Sequence, residues 1–473
     1  MTETIRTFET LELHEDLLRA VAELEFSRPT TIQAAAIPPA AAGQDVLACA
    51  TTGSGKTAAF LLPIMDRLLR QPGRGTRALV LTPTRELAAQ VAEHFALLAR
   101  HTRLRCAAVY GGVGMAPQVE AFRRGVDVIV ATPGRLLDHM QRAYARMPAL
   151  EVLVLDEADR MLDMGFLPDI RRVLRQLPAT PRQTLFFSAT MPAPIVALSR
   201  ELLRDPAMIR TERKSAPPNS ITQALYAVPS ALKPALLLAL LERGTIGNAI
   251  VFCRTKHRAN RLAQKLERTG LAVARIHGNR SQSQRTEALA GFKEGRYRVL
   301  VATDIVARGI DVEALDHVVN FDVPNAPEDY IHRVGRTARA ELTGDAYTLV
   351  APDEEEGVRA IERALGRPIE RRRVEGFDYR ARNAESLEIP LAERIADIRA
   401  RKSEERRRAA TNADRKARTA EDGASRETSG GRADRVSRRP AAPRAAPPAP
   451  HAAPAARRRR GPRPAAGRLP RGT

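Results

Sequence analysis

Cysteine is scarce in this chain: three residues in 473, at Cys49, Cys106 and Cys253. They show neither metal-ligand spacing nor a paired framework, so a reducing interior is expected. Each lies in or beside an apolar run and reads as a buried structural thiol. Long hydrophobic runs are missing too. None approaches the ~18 residues of a transmembrane helix, and the start, MTETIRTFET, lacks the apolar core of a signal peptide. A soluble, cytoplasmic protein without a membrane partner is expected. No short-period repeat marks a solenoid. Acidic charge is in deficit, with 55 Asp and Glu against 76 Lys and Arg, a net +21. The imbalance is concentrated at the end. Residues 401–473 hold 21 basic and 7 acidic residues, which leaves +7 for the first 400. A basic tail on a mildly basic body suggests a polyanionic partner, most often nucleic acid. Aromatic residues stop at Tyr379. From about Thr411 the chain is Ala, Arg and Pro, cannot bury enough surface to offset ordering entropy, and is expected to be disordered.

What is present is a chain 44% hydrophobic, enough for two or three domains. From about Asp45, short β-like runs (DVLACA, ALVLTPT, RCAAVY, DVIVATP, VLVLDEAD, TLFFSAT) alternate with helical stretches such as RELAAQVAEHFALLARH. That alternation predicts a parallel sheet with helices on both faces. Ligands of such sheets bind at the carboxyl ends of the strands, where the polar turn residues fall. The polar stretch TERKSAPPNS, residues 211–220, reads as a linker. The pattern then restarts with QALYAV, AIVFCRT, VARIHG, RVLVATD, HVVNFD and DAYTLV, a second unit of the same kind. The periodicity fades after about Arg373. The expected division is 1–210, a linker at 211–220, 221–373, and a basic tail at 374–473.

Two stretches carry chemistry. ATTGSGKT, Ala50–Thr57, follows a strand and precedes a helix. It matches the phosphate-loop pattern, with Ala50 in place of the first glycine. Thr52, Gly53, Ser54 and Gly55 form the turn whose N–H groups face phosphate oxygens, and the following helix start favours the same anion. Lys56 reaches the β- and γ-phosphates, and Thr57 ligates Mg²⁺. VLVLDEADRMLDMGF, residues 152–166, is a buried strand ending in three carboxylates. In phosphate-loop enzymes a second strand ends in an Asp of the Mg²⁺ shell, and Asp156 fits. Glu157 can orient or deprotonate the attacking water. Crowded carboxylates need a cation. Asp159 taken alone reads equally well as a helix-start carboxylate.

Taken together these residues resemble the DEAD-box RNA helicases of superfamily 2, over about Phe8–Arg373, with wording closest to the bacterial RhlE-type subgroup (DEADRMLDMGF, IHGNRSQSQR, PNAPEDYIHRVGRTAR). The resemblance implies two tandem RecA-like α/β domains that hydrolyse ATP with Mg²⁺ and bind RNA. EFSRPTTIQ resembles the adenine-reading Q motif. Gln33 would bind the adenine edge, Thr30 support the loop, and Phe26 and Phe8 pack near the base; Glu25 departs from the family's usual glycine. PTREL, Gly111-Gly112 and TPGR resemble the first domain's RNA-binding motifs, with Thr84, Arg85, Gly111, Gly112, Thr132, Pro133, Gly134 and Arg135 on the RNA backbone. Ser188, Ala189 and Thr190, with Asp159, would couple hydrolysis to strand separation. In the second domain Arg254, Gly278, Gln282, Arg285, Thr303 and Arg308 would face RNA. Asp304, Arg308 and His332 would link RNA and nucleotide, Gly309 and Asp311 lie near the ribose, and Arg336 and Arg339 act as fingers on the γ-phosphate. Ala338 replaces the commoner glycine.

The implied ATP site is split between the domains, so closure switches catalysis on and RNA and ATP bind cooperatively. A short duplex would be separated locally by bending one strand, without long-range translocation. The tail would tether RNA. A monomer is expected, and ribosome-assembly and RNA-decay complexes are compatible settings. Two rivals are a DNA helicase or translocase of the same superfamily, and a non-catalytic RNA-binding protein or chaperone. The Q motif and DEAD argue against the first, and the intact Lys56, Asp156, Glu157 and Arg336 against the second.

Overall fold

The alternating runs become two parallel sheets in a computed structural model of the protein. The structure describes residues 7–50, 53–210, 221–304, 315–337, 344–381 and the single residue 403. Thr52, Arg308, Gly309, Asp311, Ala338 and Arg339 lie outside the described residues, as do the linker at 211–220 and the rest of the tail. The chain divides into a unit of residues 1–389 and a second of residues 390–473, and both sheets belong to the first.

The first sheet contains β1 Val46–Cys49, β2 Ala78–Leu81, β3 Cys106–Val109, β4 Val128–Ala131, β5 Val152–Leu155, β6 Gln183–Ser188 and β7 Ala207–Arg210. Its order is β3-β4-β2-β5-β6-β1-β7. The second contains β8 Ile221–Ala227, β9 Ala249–Cys253, β10 Val273–Ile276, β11 Val299–Thr303, β12 His317–Asn320, β13 Gly344–Val350 and β14 Glu370–Arg372, in the order β10-β11-β9-β12-β13-β8-β14. Every pairing is parallel. β2, β4 and β5 are apolar and buried at every position, as expected of strands covered on both faces.

Two edge strands carry no such run. β7 has Met208 more than half exposed, and β14 is Glu-Arg-Arg. Edge strands are held by ladder bonds on one side and need no buried face, so hydrophobic patterning does not announce them.

β1, β5 and β6 are spatial neighbours although more than 100 residues separate β1 from β5. Their register sets Cys49 level with Ser188 and Leu155 level with Phe186. The phosphate loop, the DEAD turn and Ser-Ala-Thr thereby leave the sheet side by side. In the second sheet Thr303 is level with Cys253, and Asn320 with Phe252. This brings Asp304, Arg254 and Asp322 to one end. All three cysteines are free thiols. Burial pushes Cys106 up to about 12 and raises Cys253 well above its usual value, which leaves both inert as nucleophiles. Among the described residues no helix is long and apolar enough to cross a membrane.

Candidate active site and nucleic-acid interface

The phosphate loop closes on itself and on the Q motif. Gly53 and Gly55 take left-handed backbone angles, φ 82° and 93°, which glycine adopts without penalty. Lys56, almost fully buried, donates from Nζ to the Ala50 carbonyl at 3.2 Å. Thr30 Oγ1 donates to the Ser54 carbonyl at 2.7 Å. Gln33 donates from Nε2 to the Gly55 carbonyl at 3.1 Å, and its Oε1 accepts from Thr30 N at 2.9 Å. Both ends of the Gln33 amide are thus engaged inside the loop. One N–H and one oxygen lone pair remain for a base edge. A Cβ on Gly55 would lie 2.6 Å from Gln33 Nε2, so this contact also requires glycine. Phe8 is buried and Phe26 exposed, with ring centroids 6.3 Å apart; the open ring face belongs to Phe26.

Glu25 explains the family's usual glycine at its position. It follows the helix Glu15–Glu23 with φ 59°, while Phe26 N bonds back to the Val21 carbonyl, an αL helix end. A side chain is strained there. Glu25→Gly is expected to raise unfolding stability by about 0.5–1 kcal/mol. Denaturant titration measures it, and a destabilised variant would contradict the reading.

The acidic turn sits at the carboxyl end of β5. Asp156 is buried, and its Oδ1 has no hydrogen-bond partner. Burial pushes its carboxyl up to about 6, against the pull of Lys56. A buried, orphaned carboxylate oxygen facing the phosphate-loop lysine fits a Mg²⁺ ligand. Glu157 has φ 52°, a strained angle of the kind that clusters at functional sites. Burial pushes Glu157 up, but Arg160, Lys56 and Arg336 outweigh it and hold it below its usual value. Arg160, also buried, donates to Glu157 Oε2 at 2.9 Å. Asp159 faces the other way. Its Oδ2 accepts from Thr190 N at 2.7 Å and Thr190 Oγ1 at 2.8 Å, and its own N donates to Ser188 Oγ at 3.3 Å. The DEAD turn and the Ser188–Thr190 turn are therefore one hydrogen-bonded piece.

The second sheet brings the helix Pro327–Val334 to this turn. Arg336 follows it, nearly buried, and its charge acts on Glu157. Burial, then Arg160, lowers His332 to about 4, so it is neutral at physiological pH. Arg333, which sequence reasoning passed over, grips Asp304 by donating from Nε and Nη2 at 2.6 and 2.7 Å. It also donates to Asn320 Oδ1 and the Asp322 carbonyl. A surface arginine and a bidentate buried one look alike in sequence, so no signal separated it from Arg336.

The described residues expected on RNA divide between exposed positions, such as Gly112, Gly134, Arg254 and Gly278, and buried ones. Thr84 caps the helix Arg85–Leu98, accepting from Leu87 N at 3.2 Å. Arg85 packs on the glycine pair. A Cβ on Gly112, φ 83°, would lie 2.1 Å from Arg85 Nη1, whereas one on Gly134 or Gly278 would meet nothing. Arg135 donates to the Val113 carbonyl at 3.2 Å, tying the TPGR turn to the glycine loop. Thr132 and Pro133 are buried at the start of the helix Pro133–Met140. Thr303 is buried at the end of β11. Arg254 donates to Glu354 Oε1 at 2.9 Å and keeps 41% of its side chain exposed. Gln282 and Arg285 both reach a residue that sequence reasoning missed, Glu86 of the first sheet's PTREL. The amide bonds at 2.9 Å and the guanidinium at 2.7 Å, all three side chains nearly buried. The acid inside PTREL is the visible trace of that partnership, but only its distant partners give it meaning.

A phosphate loop, an acidic strand end and an arginine from a second parallel sheet define a two-domain nucleotide hydrolase of RecA-like build. The DEAD/DEAH box helicase model matches residues 30–198, and the helicase conserved C-terminal domain matches residues 232–341. The RNA helicase CrhR of Synechocystis is 44% identical over 372 residues, covering 78% of this chain and 75% of that protein. The DEAD-box ATP-dependent RNA helicase CshA of Bacillus subtilis is 41% identical, covering 79% and 75%. Among solved structures, S. cerevisiae Dbp5 bound to RNA and ADP BeF3 is 31% identical with a TM-score of 0.71, over 77% of this chain and 95% of that one. Mss116p bound to ssRNA and AMP-PNP is 27% identical with a TM-score of 0.72, over 79% and 81%. This chain belongs to the DEAD-box ATP-dependent RNA helicases.

Proposed function

We propose that the protein separates short RNA duplexes locally and remodels RNA or RNA–protein complexes, through closure of its two RecA-like domains on ATP and RNA. The observation that carries this is the approach of the second sheet's arginine to the acidic turn: Arg336 and Arg160 line one cleft, and the charge of Arg336 acts on Glu157. Lys56 and the loop amides hold the phosphates. Thr57 and Asp156 would hold Mg²⁺, which supplies charge neutralisation on the β- and γ-phosphates. Glu157, ionised, orients the attacking water and accepts its proton. Arg336, with Arg339, stabilises charge on the γ-phosphate, and Asp159 passes the state of that site to Thr190. Gln33 reads the base with its remaining amide N–H and lone pair. Gly309 and Asp311 lie toward the ribose, and Arg308, Asp304 and His332 link nucleotide to RNA.

Arg85, Arg135, Arg254 and Thr303 are assigned to the RNA backbone, which is gripped without reading sequence. Gln282 and Arg285, joined to Glu86, support that surface when the domains are closed. The basic residues after Arg380 hold further RNA nearby. A monomer in the cytoplasm, of the RhlE-type subgroup by its wording, is the simplest form of this reading.

The test is ATPase stimulation by RNA and by DNA of equal length, with unwinding of duplexes of increasing length. RNA should stimulate, and unwinding should fall steeply as the duplex lengthens. Equal stimulation by DNA, or unwinding indifferent to length, overturns the reading. In the same assay a chain ending at Arg380 should bind RNA more weakly, mainly at low salt; equal binding at every salt would remove the tether.

A further inference from the structure

At the amino-terminal end of the first sheet's strands, opposite the phosphate loop, where β1, β5 and β6 begin, lies a cavity of about 910 Å³. Arg67, Arg182 and Arg204 line it, from three separate elements. Arg67 lies in the last turn of the helix Lys56–Arg70. Arg182 and Arg204 come from the segments entering β6 and β7.

The cavity also contains carboxylates, and their bonding decides its character. Asp66 accepts from His14 N and pairs with Arg70 at 2.8 Å. Glu151 is gripped by Arg77 at 2.6 and 2.8 Å. Asp45 accepts from the backbone N–H groups of Thr184 and Arg204, at 2.7 and 2.8 Å. These three acids are engaged in holding the fold. Asp205 lies on the exposed rim. Among the described residues none of the three guanidinium groups has a carboxylate within ion-pair distance. Arg182 has a buried Nε without a hydrogen-bond partner, and its one side-chain bond goes from Nη1 to the Pro178 carbonyl. Burial lowers the pKa of Arg67 and of Arg182; Arg204 adds to the effect on Arg182 and Arg77 to that on Arg67, while Asp45 and Glu151 act against it without reaching ion-pair distance.

A helix end attracts cations to its last carbonyls, which accounts for Arg67 and Arg70. It does not account for Arg182 and Arg204. Converging cations around an open volume are relieved by an anion with several oxygen acceptors, and guanidinium forks match phosphate. We propose that this cavity is a second anion site, separate from the ATP site, that takes a phosphate-bearing ligand of the polyphosphate class. The helix Lys56–Arg70 joins the two sites. It starts at the phosphate loop and ends at Arg70, with a rise of roughly 20 Å for 15 residues.

The ligand is a free small polyphosphate or the phosphorylated end of a nucleic acid, and the experiment separates them. Equilibrium dialysis of tripolyphosphate against the full chain is run at physiological ionic strength, where the basic tail's hold on small anions is screened, with saturating ADP in the phosphate loop. One ADP-resistant equivalent per chain is expected. Arg204→Gln, at an exposed side chain, should weaken it about tenfold, the effect of losing one charge-assisted contact. Adding Arg182→Gln should abolish it, while Arg182→Lys keeps part of it. The KM for ATP should stay unchanged in all of these variants. A preference for a 5′-triphosphorylated over a 5′-hydroxyl oligonucleotide, lost in Arg204→Gln, assigns the nucleic-acid source; without it the ligand is the free polyphosphate. Binding fully displaced by ADP, or unchanged in Arg204→Gln, overturns the proposal. RNA stimulation of the ATPase is a separate readout, so its failure would count against the helicase reading and leave this site standing.

Discussion

Replacing Arg336 by alanine is expected to lower kcat for RNA-stimulated ATP hydrolysis by about 10³- to 10⁵-fold, the usual effect of losing an arginine finger. That corresponds to ~4–7 kcal/mol of barrier. The KM for ATP should change little, because Lys56 and the loop amides belong to the other sheet. Arg336→Lys should recover only a small part of the loss, since an ammonium cannot present two parallel donors to a phosphoryl group. The basis is position: Arg336 is nearly buried and close enough to Glu157 to help hold its carboxyl down. Single-turnover hydrolysis at saturating RNA is the measurement. A loss below about tenfold would remove Arg336 from the catalytic role.

The second large effect falls three residues away and has a different nature. Arg333→Ala is expected to destabilise the second domain by about 3–5 kcal/mol, the cost of breaking a buried pair from one side. Asp304, Asn320 Oδ1 and the Asp322 carbonyl all lose their donor. The guanidinium also lies 5.1 Å from the centre of the Phe252 ring. Arg333→Lys should not rescue it, because one ammonium cannot span Asp304 and Asn320 together. Denaturant unfolding of Arg333→Ala beside Arg336→Ala makes the contrast. Arg333→Ala should lose stability, and Arg336→Ala should lose turnover with its stability nearly intact. Loss of less than about 1 kcal/mol in Arg333→Ala would mean that the second domain does not depend on this pair.

Much of the first site was legible in order along the chain. Ala50–Thr57 lies between a strand and a helix, and VLVLDEAD ends a fully apolar strand in acids; both patterns are local and need no partner to be read. β7 and β14 were not legible, because edge strands need no hydrophobic signature. Gln33 was assigned to the base edge only through the resemblance, and its bracing of Gly55 was not legible at all. Glu86 was visible as an acid but its role was not, since a glutamate inside a motif otherwise read for RNA differs in no local way from a helix-start carboxylate. Arg333 and Arg336 share one octet and one residue type, and only their surroundings part them.

The sequence by itself determined the class of chemistry. Glycines that allow a phosphate near the backbone, a lysine to reach it and a strand ending in Asp-Glu are local requirements, written within a few residues of one another. It also determined the two sheets, through runs of apolar residues with no alternation. The tertiary structure decided which side chains meet. Strand order put β1, β5 and β6 side by side, and so joined Asp159 to Thr190. The meeting of the two sheets gave Glu86 its partners and set Arg336 beside Arg160, where its charge acts on Glu157. The same packing drew Arg67, Arg182 and Arg204, with Arg70, around one cavity. Such pairings join residues far apart in the chain through buried charge, and buried charge depends on every neighbour at once, which no local pattern of residues encodes.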